Sequence, residues 1–243
     1  MSILKLDGAA VPSRIYAIGD IHGRLDLLDR LIASIEQDIA AHGGTGALVV
    51  TLGDYVDRGP DSRGVIERLA SNPFSVPLVP LAGNHEEMFL SFLSQPRSGV
   101  DWCRRGGIDT LRSYGVPVNQ IVIGRGYSAA SETMNWLMPE AHRGFLQNLR
   151  LGVLTPDYFL CHAGVRPGVP LEQQKPSDLL WITEPFLTAT ASFGRIVVHG
   201  HTIVPQVEIH ANRINIDTGA YQTGRLSCLV LEGGEAYTLT ATD

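Results

Sequence analysis

The sequence predicts an α/β fold, and three observations carry that expectation. Short apolar runs alternate with helically spaced apolar residues through the first third of the chain. Each of those runs ends in a Gly-Asp or Gly-Asn pair. After a mainly helical middle, the last third returns to short strands punctuated by turn residues.

The elements follow in order. Ile15-Tyr16-Ala17-Ile18 is a short apolar run stopped by Gly19-Asp20, as expected of a buried strand. Leu25, Leu27, Leu28, Leu31, Ile32, Ile35 and Ile39 recur at helical spacing, and Gly43-Gly44 ends the pattern. Leu48 to Leu52 is a second buried strand, again followed by Gly-Asp. Gly64 to Leu69 begins another helix, and Val76 to Leu81 is a third strand despite two prolines. Strand, helix, strand, helix, strand implies parallel strands joined by right-handed crossovers. Residues 86 to 155 read as mainly helical, with Gly106-Gly107, Gly115 and Pro117 as breaks. Strands are then expected at Tyr158 to Cys161, Ile196 to Val198, Val207 to Ile209, Ile214 to Ile216 and Leu226 to Leu231. Gly233-Gly234 marks a hairpin into Ala236 to Leu239. No linker-like stretch or internal repeat interrupts the chain. One domain over 1–243 is expected, with a helical insertion at about 87–155.

Composition narrows the function classes. The chain has 243 residues, 44% of them hydrophobic, enough for a sizeable core. A net charge of -6 argues against a basic stripe for nucleic acid. The three cysteines, Cys103, Cys161 and Cys228, lie far apart without CxxC spacing, so buried thiols are expected rather than disulfides or a zinc knuckle. Residues 1 to 14 lack the apolar run of a signal peptide, and no stretch is long and apolar enough to span a membrane. A cytoplasmic protein without membrane contact is expected; the sequence is silent on oligomeric state.

The polar clusters at the strand ends carry the chemistry. They are Gly19-Asp20-Ile21-His22-Gly23, Gly53-Asp54-Tyr55-Val56-Asp57-Arg58-Gly59 and Gly83-Asn84-His85-Glu86. Two later strands end likewise, in His162-Ala163-Gly164 and His199-Gly200-His201-Thr202. Ligands bind at the carboxyl ends of parallel strands in open α/β sheets, so these clusters should converge. Asp20 and His22 are two apart, which on an extended strand end places both side chains on one side. Asp54 could bridge two cations, and Asn84, His162 and His201 would add neutral donors. Carboxylate, amide and imidazole donors suit borderline or hard divalent ions such as Mn, Fe or Zn, and no Cys enters any cluster. Two dications against the carboxylates of Asp20 and Asp54 would leave a surplus of about two positive charges, which would attract a phosphate dianion.

Taken together, GDIHG, GDYVDRG, GNHE, HAG and GHT resemble the phosphoprotein phosphatase branch of the calcineurin-like metallophosphoesterases, in its bacterial serine/threonine phosphatase form. The match is closest over 15 to 86, confined to the motifs over 158 to 221, and loose in the helical middle. The resemblance implies two facing mixed β-sheets flanked by helices, an αββα arrangement. It implies two divalent metal ions, manganese foremost with iron or zinc as alternatives. One metal would take Asp20, His22 and Asp54; the other would take Asp54, Asn84, His162 and His201. It further implies a bridging hydroxide as nucleophile, His85 as general acid, Asp57 orienting His85, and Arg58 gripping phosphate together with Asn84.

One departure stands out. Bacterial relatives often place a second phosphate-binding arginine after a Leu-Leu-Trp-Ile segment, but here Leu179-Leu180-Trp181-Ile182 is followed by Thr183. Arg166, Arg195 or Arg225 could substitute, Arg166 by its proximity to the His162 motif. Tyr221 is a candidate for facing the substrate, and Asp217 for shaping a loop near the metals. His199 is expected in a supporting or core role, and His42, His142 and His210 on the surface. Trp102, Trp136 and Trp181 read as core anchors. Arg104 and Arg105 read as a solvated face that could line the cleft.

Each cluster alone is a common turn pattern, since Asp and Asn favour turns for backbone reasons; five in order point to a site. The leading expectation is a phosphomonoesterase acting on phosphoserine or phosphothreonine in a protein or small molecule. The runner-up is symmetrical hydrolysis of diadenosine tetraphosphate. A non-catalytic scaffold on the same fold is the reading from another class, and the full set of six ligand residues weighs against it.

Overall fold

Alternation along the strands decides which sheet faces what. Strand β1 spans Ile3–Lys5, β2 Arg14–Ile18, β3 Ala47–Thr51, β4 Leu78–Pro80, β5 Gly152–Leu154 and β6 Tyr158–Cys161. Strand β7 spans Ile196–His199, β8 Glu208–Ile209, β9 Arg213–Asn215, β10 Arg225–Glu232 and β11 Glu235–Thr242. A computed structural model describes residues 1–243, apart from the side chain of Val122. In it the strands form a six-stranded sheet, ordered β1-β5-β6-β7-β9-β8, and a five-stranded sheet, ordered β11-β10-β2-β3-β4. Both are mixed: β2, β3 and β4 run parallel, as do β6, β7 and β9, while β10 is antiparallel to both of its neighbours.

Every second residue of the central strands points to the other sheet. Ile15, Ala17, Leu48, Val50, Leu229 and Leu231 meet Val153, Leu160, Val198 and Ile214 in one buried cluster. The alternate residues Tyr16, Ile18, Val49 and Val230 pack outward against helices. Helix α1 (Leu25–His42) buries Leu27, Leu28, Leu31, Ile35 and Ile39 there. Helices α1 and α2 (Ser62–Ala70) are the crossovers of the β2-β3-β4 unit. The architecture is therefore two facing sheets with helices outside, as the resemblance implied.

Several expectations change. The third strand shrinks to Leu78–Pro80 and lies at a sheet edge, where a missing proline N–H costs no ladder bond. Strands β1 and β5 were not anticipated: each has three residues, and they pair with each other across most of the chain. Helices fill the middle from α3 (Asn84–Ser94) only to Gln147, because Gly152–Leu154 joins the six-stranded sheet. Trp136 is 83% exposed and anchors no core. His142 is buried, not at the surface: it accepts from Tyr114 Oη at Nδ1 (2.7 Å) and donates from Nε2 to Glu67 (2.7 Å). The three cysteines are free and buried, as expected. No helix is long and apolar enough to cross a membrane among the described residues.

Leu160 sits at the centre of the inter-sheet layer with none of its surface exposed. Leu160→Ala should lower the unfolding free energy by about 3 kcal/mol, the cost of a lost buried side chain plus its cavity. Urea denaturation followed by circular dichroism measures this; a change below about 1 kcal/mol would mean the layer is not close-packed.

Candidate metal centre

The five clusters converge where β2, β3, β4, β6 and β7 end. Among the described residues, six non-glycine residues have positive φ, and five are in these clusters: His22 (45°), Asp54 (53°), Asp57 (75°), Arg58 (69°) and His201 (65°). Such backbone is costly and persists where the surroundings enforce it, commonly at functional sites. His22 therefore reaches the centre through a left-handed turn, not through the strand alternation that the sequence suggested.

Asp54 lies at the middle. Its Oδ2 is 3.3 Å from His22 Nε2 and 3.9 Å from His85 Nε2; its Oδ1 is 3.5 Å from His162 Nε2. Two donor groups result, His22 with Asp54 and His85, and Asp54 with His162 and His201. Asn84 joins the second: its Oδ1 is 2.8 Å from His162 Nε2 and 3.0 Å from His201 Nδ1. Asp20 borders both. Its Oδ2 accepts the His201 N–H (3.1 Å), and its Oδ1 is buried without a hydrogen-bond partner.

The tautomers show what the cluster lacks. His22 Nδ1 donates to Val56 O at 2.8 Å, and His162 Nδ1 donates to Leu52 O at 2.9 Å. Both Nε2 atoms are then lone-pair acceptors in the neutral rings. His162 Nε2 consequently faces the oxygen of Asn84, acceptor against acceptor. Burial and the neighbouring His162 push His201 down to about 3, and burial lowers His162 likewise, which favours the neutral rings; at His22 burial is outweighed by the Asp54 carboxylate, which raises it. Burial, with Asp217 and Asp54 close by, pushes the Asp20 carboxyl well above its usual range. Converging lone pairs, an orphaned carboxylate oxygen and clustered buried acids fit cations held by O and N donors.

The supporting contacts run deeper than the motifs. Glu86 is fully buried and accepts from the backbone N–H groups of Gly83 (2.9 Å), Asp54 (2.9 Å), Tyr55 (2.8 Å) and Val56 (3.3 Å). It thereby ties the Asp54 turn to the start of α3. Burial and the Asp54 carboxylate push it up to about 8, against the pull of those N–H bonds. A β-carbon on Gly83 would collide with Asp54 Oδ1, so only glycine allows this approach.

His85 donates from Nδ1 to Asp57 Oδ2 at 2.6 Å. Asp57 also accepts from Trp102 Nε1 (2.8 Å) and Thr110 Oγ1 (2.6 Å). Trp102 and Thr110 were missed as site residues; the buried indole N–H, which requires a partner, was the available signal. Arg58 Nη1 donates to His22 Nε2 at 2.9 Å, and its guanidinium lies 4.8 Å from the Tyr221 ring centroid. Asp217 is buried beside Asp20 and accepts from Gly219 N at 2.9 Å. His199 packs edge-on against Phe186 in the core.

The other arginines do not join. Arg166 is exposed and forks onto Asp178 at 2.9 and 2.5 Å, which removes the geometric basis for its expected substrate contact. Arg195 bonds the carbonyls of Thr155 and Gly194, and Arg225 that of Pro205. Trp181 is half-buried at the cleft, not a core anchor: it donates to Glu87 at 2.6 Å and meets His201 edge-on at 6.5 Å.

Two sheets with a strand-end cluster of Asp, Asn and His define a phosphoesterase-like centre, and comparison with known proteins agrees. The chain belongs to the calcineurin-like phosphoesterase family, whose model matches residues 13–225. It is 26% identical to serine/threonine-protein phosphatase 2 of Escherichia coli K12 over 227 residues, covering 88% of this chain and 90% of that protein. It is 31% identical to a symmetrical bis(5'-nucleosyl)-tetraphosphatase of Acidovorax sp. JS42 over 153 residues, covering 63% of this chain and 44% of that one. The crystal structure of a protein assigned as a diadenosine tetraphosphatase superposes with a TM-score of 0.65 at 20% identity, covering 100% and 99% of the two chains. Membership in the family makes the chain a hydrolase of phosphate esters.

Glu86→Ala should destabilise the fold by about 3–5 kcal/mol, because it strands several buried N–H groups at once. Thermal and urea unfolding check this; a loss under about 1 kcal/mol would show that water or rearrangement satisfies them.

Proposed function

We propose that this chain is a metal-dependent phosphomonoesterase of the serine/threonine protein phosphatase type. The observation that carries the reading is the Asp54 carboxylate, whose two oxygens face two separate groups of imidazoles. In this reading Asp20, His22 and Asp54 hold one divalent ion, and Asp54, Asn84, His162 and His201 hold the other. Manganese is the first choice, with iron or zinc as alternatives. When bound, two such ions lower the pKa of a water and neutralise charge on the phosphoryl group.

The chain's own residues do the rest. Asp57 accepts the Nδ1–H of His85, which fixes the ring and leaves Nε2 pointing toward Asp54. Protonated at Nε2, His85 gives its proton to the leaving oxygen. Asp57 also accepts from Trp102 and Thr110, so it cannot turn away from the ring. Arg58, held at the mouth of the first group over Tyr221, offers its planar fork to two phosphoryl oxygens. No Cys or Ser is among the converging donors, which favours direct water attack over a phosphoenzyme.

The protein phosphatase relative aligned over 88% of the chain supports a phosphoserine or phosphothreonine substrate. Symmetrical hydrolysis of diadenosine tetraphosphate is the second reading, supported by the 31% identity to the Acidovorax enzyme over a shorter length. Turnover with Mn of p-nitrophenyl phosphate, a phosphoserine peptide, a phosphotyrosine peptide and diadenosine tetraphosphate separates them. Fastest cleavage of the phosphoserine peptide is expected. Fast cleavage of the dinucleotide alone would reverse the order, and inactivity on all four would refute an enzyme.

Asp54→Asn should abolish metal-dependent turnover, and retained activity with Mn would refute the bridging role. His85→Asn should leave metal content unchanged by elemental analysis while slowing turnover by about 10²–10⁴-fold, the range of general acid catalysis. An unaltered rate with a poor leaving group would rule out that role.

A further inference from the structure

The helical insertion sends two hydrogen-bond donors back to the carboxylate beside the proposed acid. Asp57 has none of its surface exposed, and its backbone is left-handed. Its Oδ2 accepts both the Nδ1–H of His85 at 2.6 Å and the indole N–H of Trp102 at 2.8 Å. Its Oδ1 accepts the hydroxyl of Thr110 at 2.6 Å. The oxygen of that hydroxyl accepts the Asp57 N–H at 2.8 Å, so Thr110 holds the side chain and the backbone of Asp57 together. Among the described residues, no lysine or arginine nitrogen lies within 4.0 Å of this carboxylate. A buried carboxylate served by neutral donors and one imidazole depends on each of them, because a donor lost leaves a lone pair without water or partner.

Trp102 is built to keep its place. Its buried ring stacks on Phe89 with centroids 5.2 Å apart and packs against Phe92 at 4.7 Å. A β-carbon on Gly107 would collide with the ring, so that position requires glycine. The indole also lines a cavity of about 500 Å³ with Met88, Arg105 and Trp181. It therefore does two things for Asp57: it donates an N–H, and it stands between the carboxylate and that cavity.

We propose that Trp102 is a positioning residue for protonation of the leaving group, with Thr110 as its counterpart on the other carboxylate oxygen. The proposal rests on the general-acid reading of His85. Trp102 and His85 share one oxygen, so the indole fixes where that oxygen lies and the oxygen fixes the imidazole ring. The ring in turn aims Nε2, the atom that hands a proton to the leaving oxygen. Without the indole N–H the carboxylate can rotate and the ring can drift from its line. The loss is felt in proportion to how much the leaving group needs the proton. The ester of an acidic phenol needs it little, and the ester of a plain phenol needs it more.

The test uses the Mn-loaded full chain, as wild type, Trp102→Phe, Thr110→Val and His85→Asn, on p-nitrophenyl phosphate and phenyl phosphate. Trp102→Phe keeps a ring in place and removes the N–H. It should lower kcat for phenyl phosphate about tenfold more than for p-nitrophenyl phosphate, with KM moving alike for both. Thr110→Val should discriminate in the same direction, and His85→Asn more strongly. A merely structural role would slow both esters by one factor. Equal slowing in Trp102→Phe, beside a discriminating His85→Asn, overturns the proposal and leaves the acid standing. Equal slowing in His85→Asn removes the acid and the proposal with it. If Trp102→Phe does not fold, Thr110→Val carries the same test. If wild type cleaves neither ester, the phosphomonoesterase reading fails and proton NMR decides the positioning role. The His85 Nδ1 proton, assigned by its absence in His85→Asn, should exchange with water about tenfold faster in Trp102→Phe, the effect of one lost hydrogen bond. An equal exchange rate overturns the proposal.

Discussion

Everything in this molecule turns on how one carboxylate, that of Asp54, is held. The residue sits in left-handed backbone just past β3. Its own N–H is bound by Glu86, and its Oδ1 accepts the His85 N–H at 3.1 Å, so neither backbone nor side chain is free to rotate. One oxygen then faces His22 and the other His162. His22 follows a strand of the five-stranded sheet; His162 and His201 follow strands of the six-stranded sheet. The centre is thus assembled across the two sheets, and its geometry depends on the apolar layer that keeps them in register.

That arrangement separates two tasks. The strand ends supply buried acids and imidazoles whose lone pairs converge, an arrangement that burial alone makes unfavourable and that cations would relieve. The helical insertion supplies nothing to the donor groups. It contributes Trp102 and Thr110 to hold Asp57, Gly106 to support Arg58, and Arg105 to line the adjoining cavity. The donor groups belong to the strand ends, and the contacts that brace Asp57 and Arg58 belong to the insertion. Loose resemblance in that middle segment is what such a division allows.

Much of this was legible in the sequence because strand ends carry compact signals. An apolar run stopped by Gly-Asp, or by a His-Gly cluster, marks both a strand and a candidate ligand residue; β2 and β3 were read the first way, β6 and β7 the second. Three-residue strands such as β1 and β5 have no periodicity to read, and their pairing is set by chain segments far apart. Tertiary partners decided the other misses. Nothing local to His142 reveals that Tyr114 and Glu67 satisfy both ring nitrogens, which is what permits its burial. Trp136 faces outward and Arg166 is tied to Asp178 for the same reason: neighbours distant in sequence determine which face of a segment is covered. The role of Trp102 combines both limits, since its burial was foreseeable and its partner Asp57, in another cluster, was not.

The central claim is that Asp54 bridges two ions. Anomalous diffraction from crystals grown with Mn tests it most directly. The account predicts two peaks about 3.5–4 Å apart, one on each side of the Asp54 carboxylate, with His22 beside one and His162 and His201 beside the other. A single peak, or peaks away from Asp54, would contradict it.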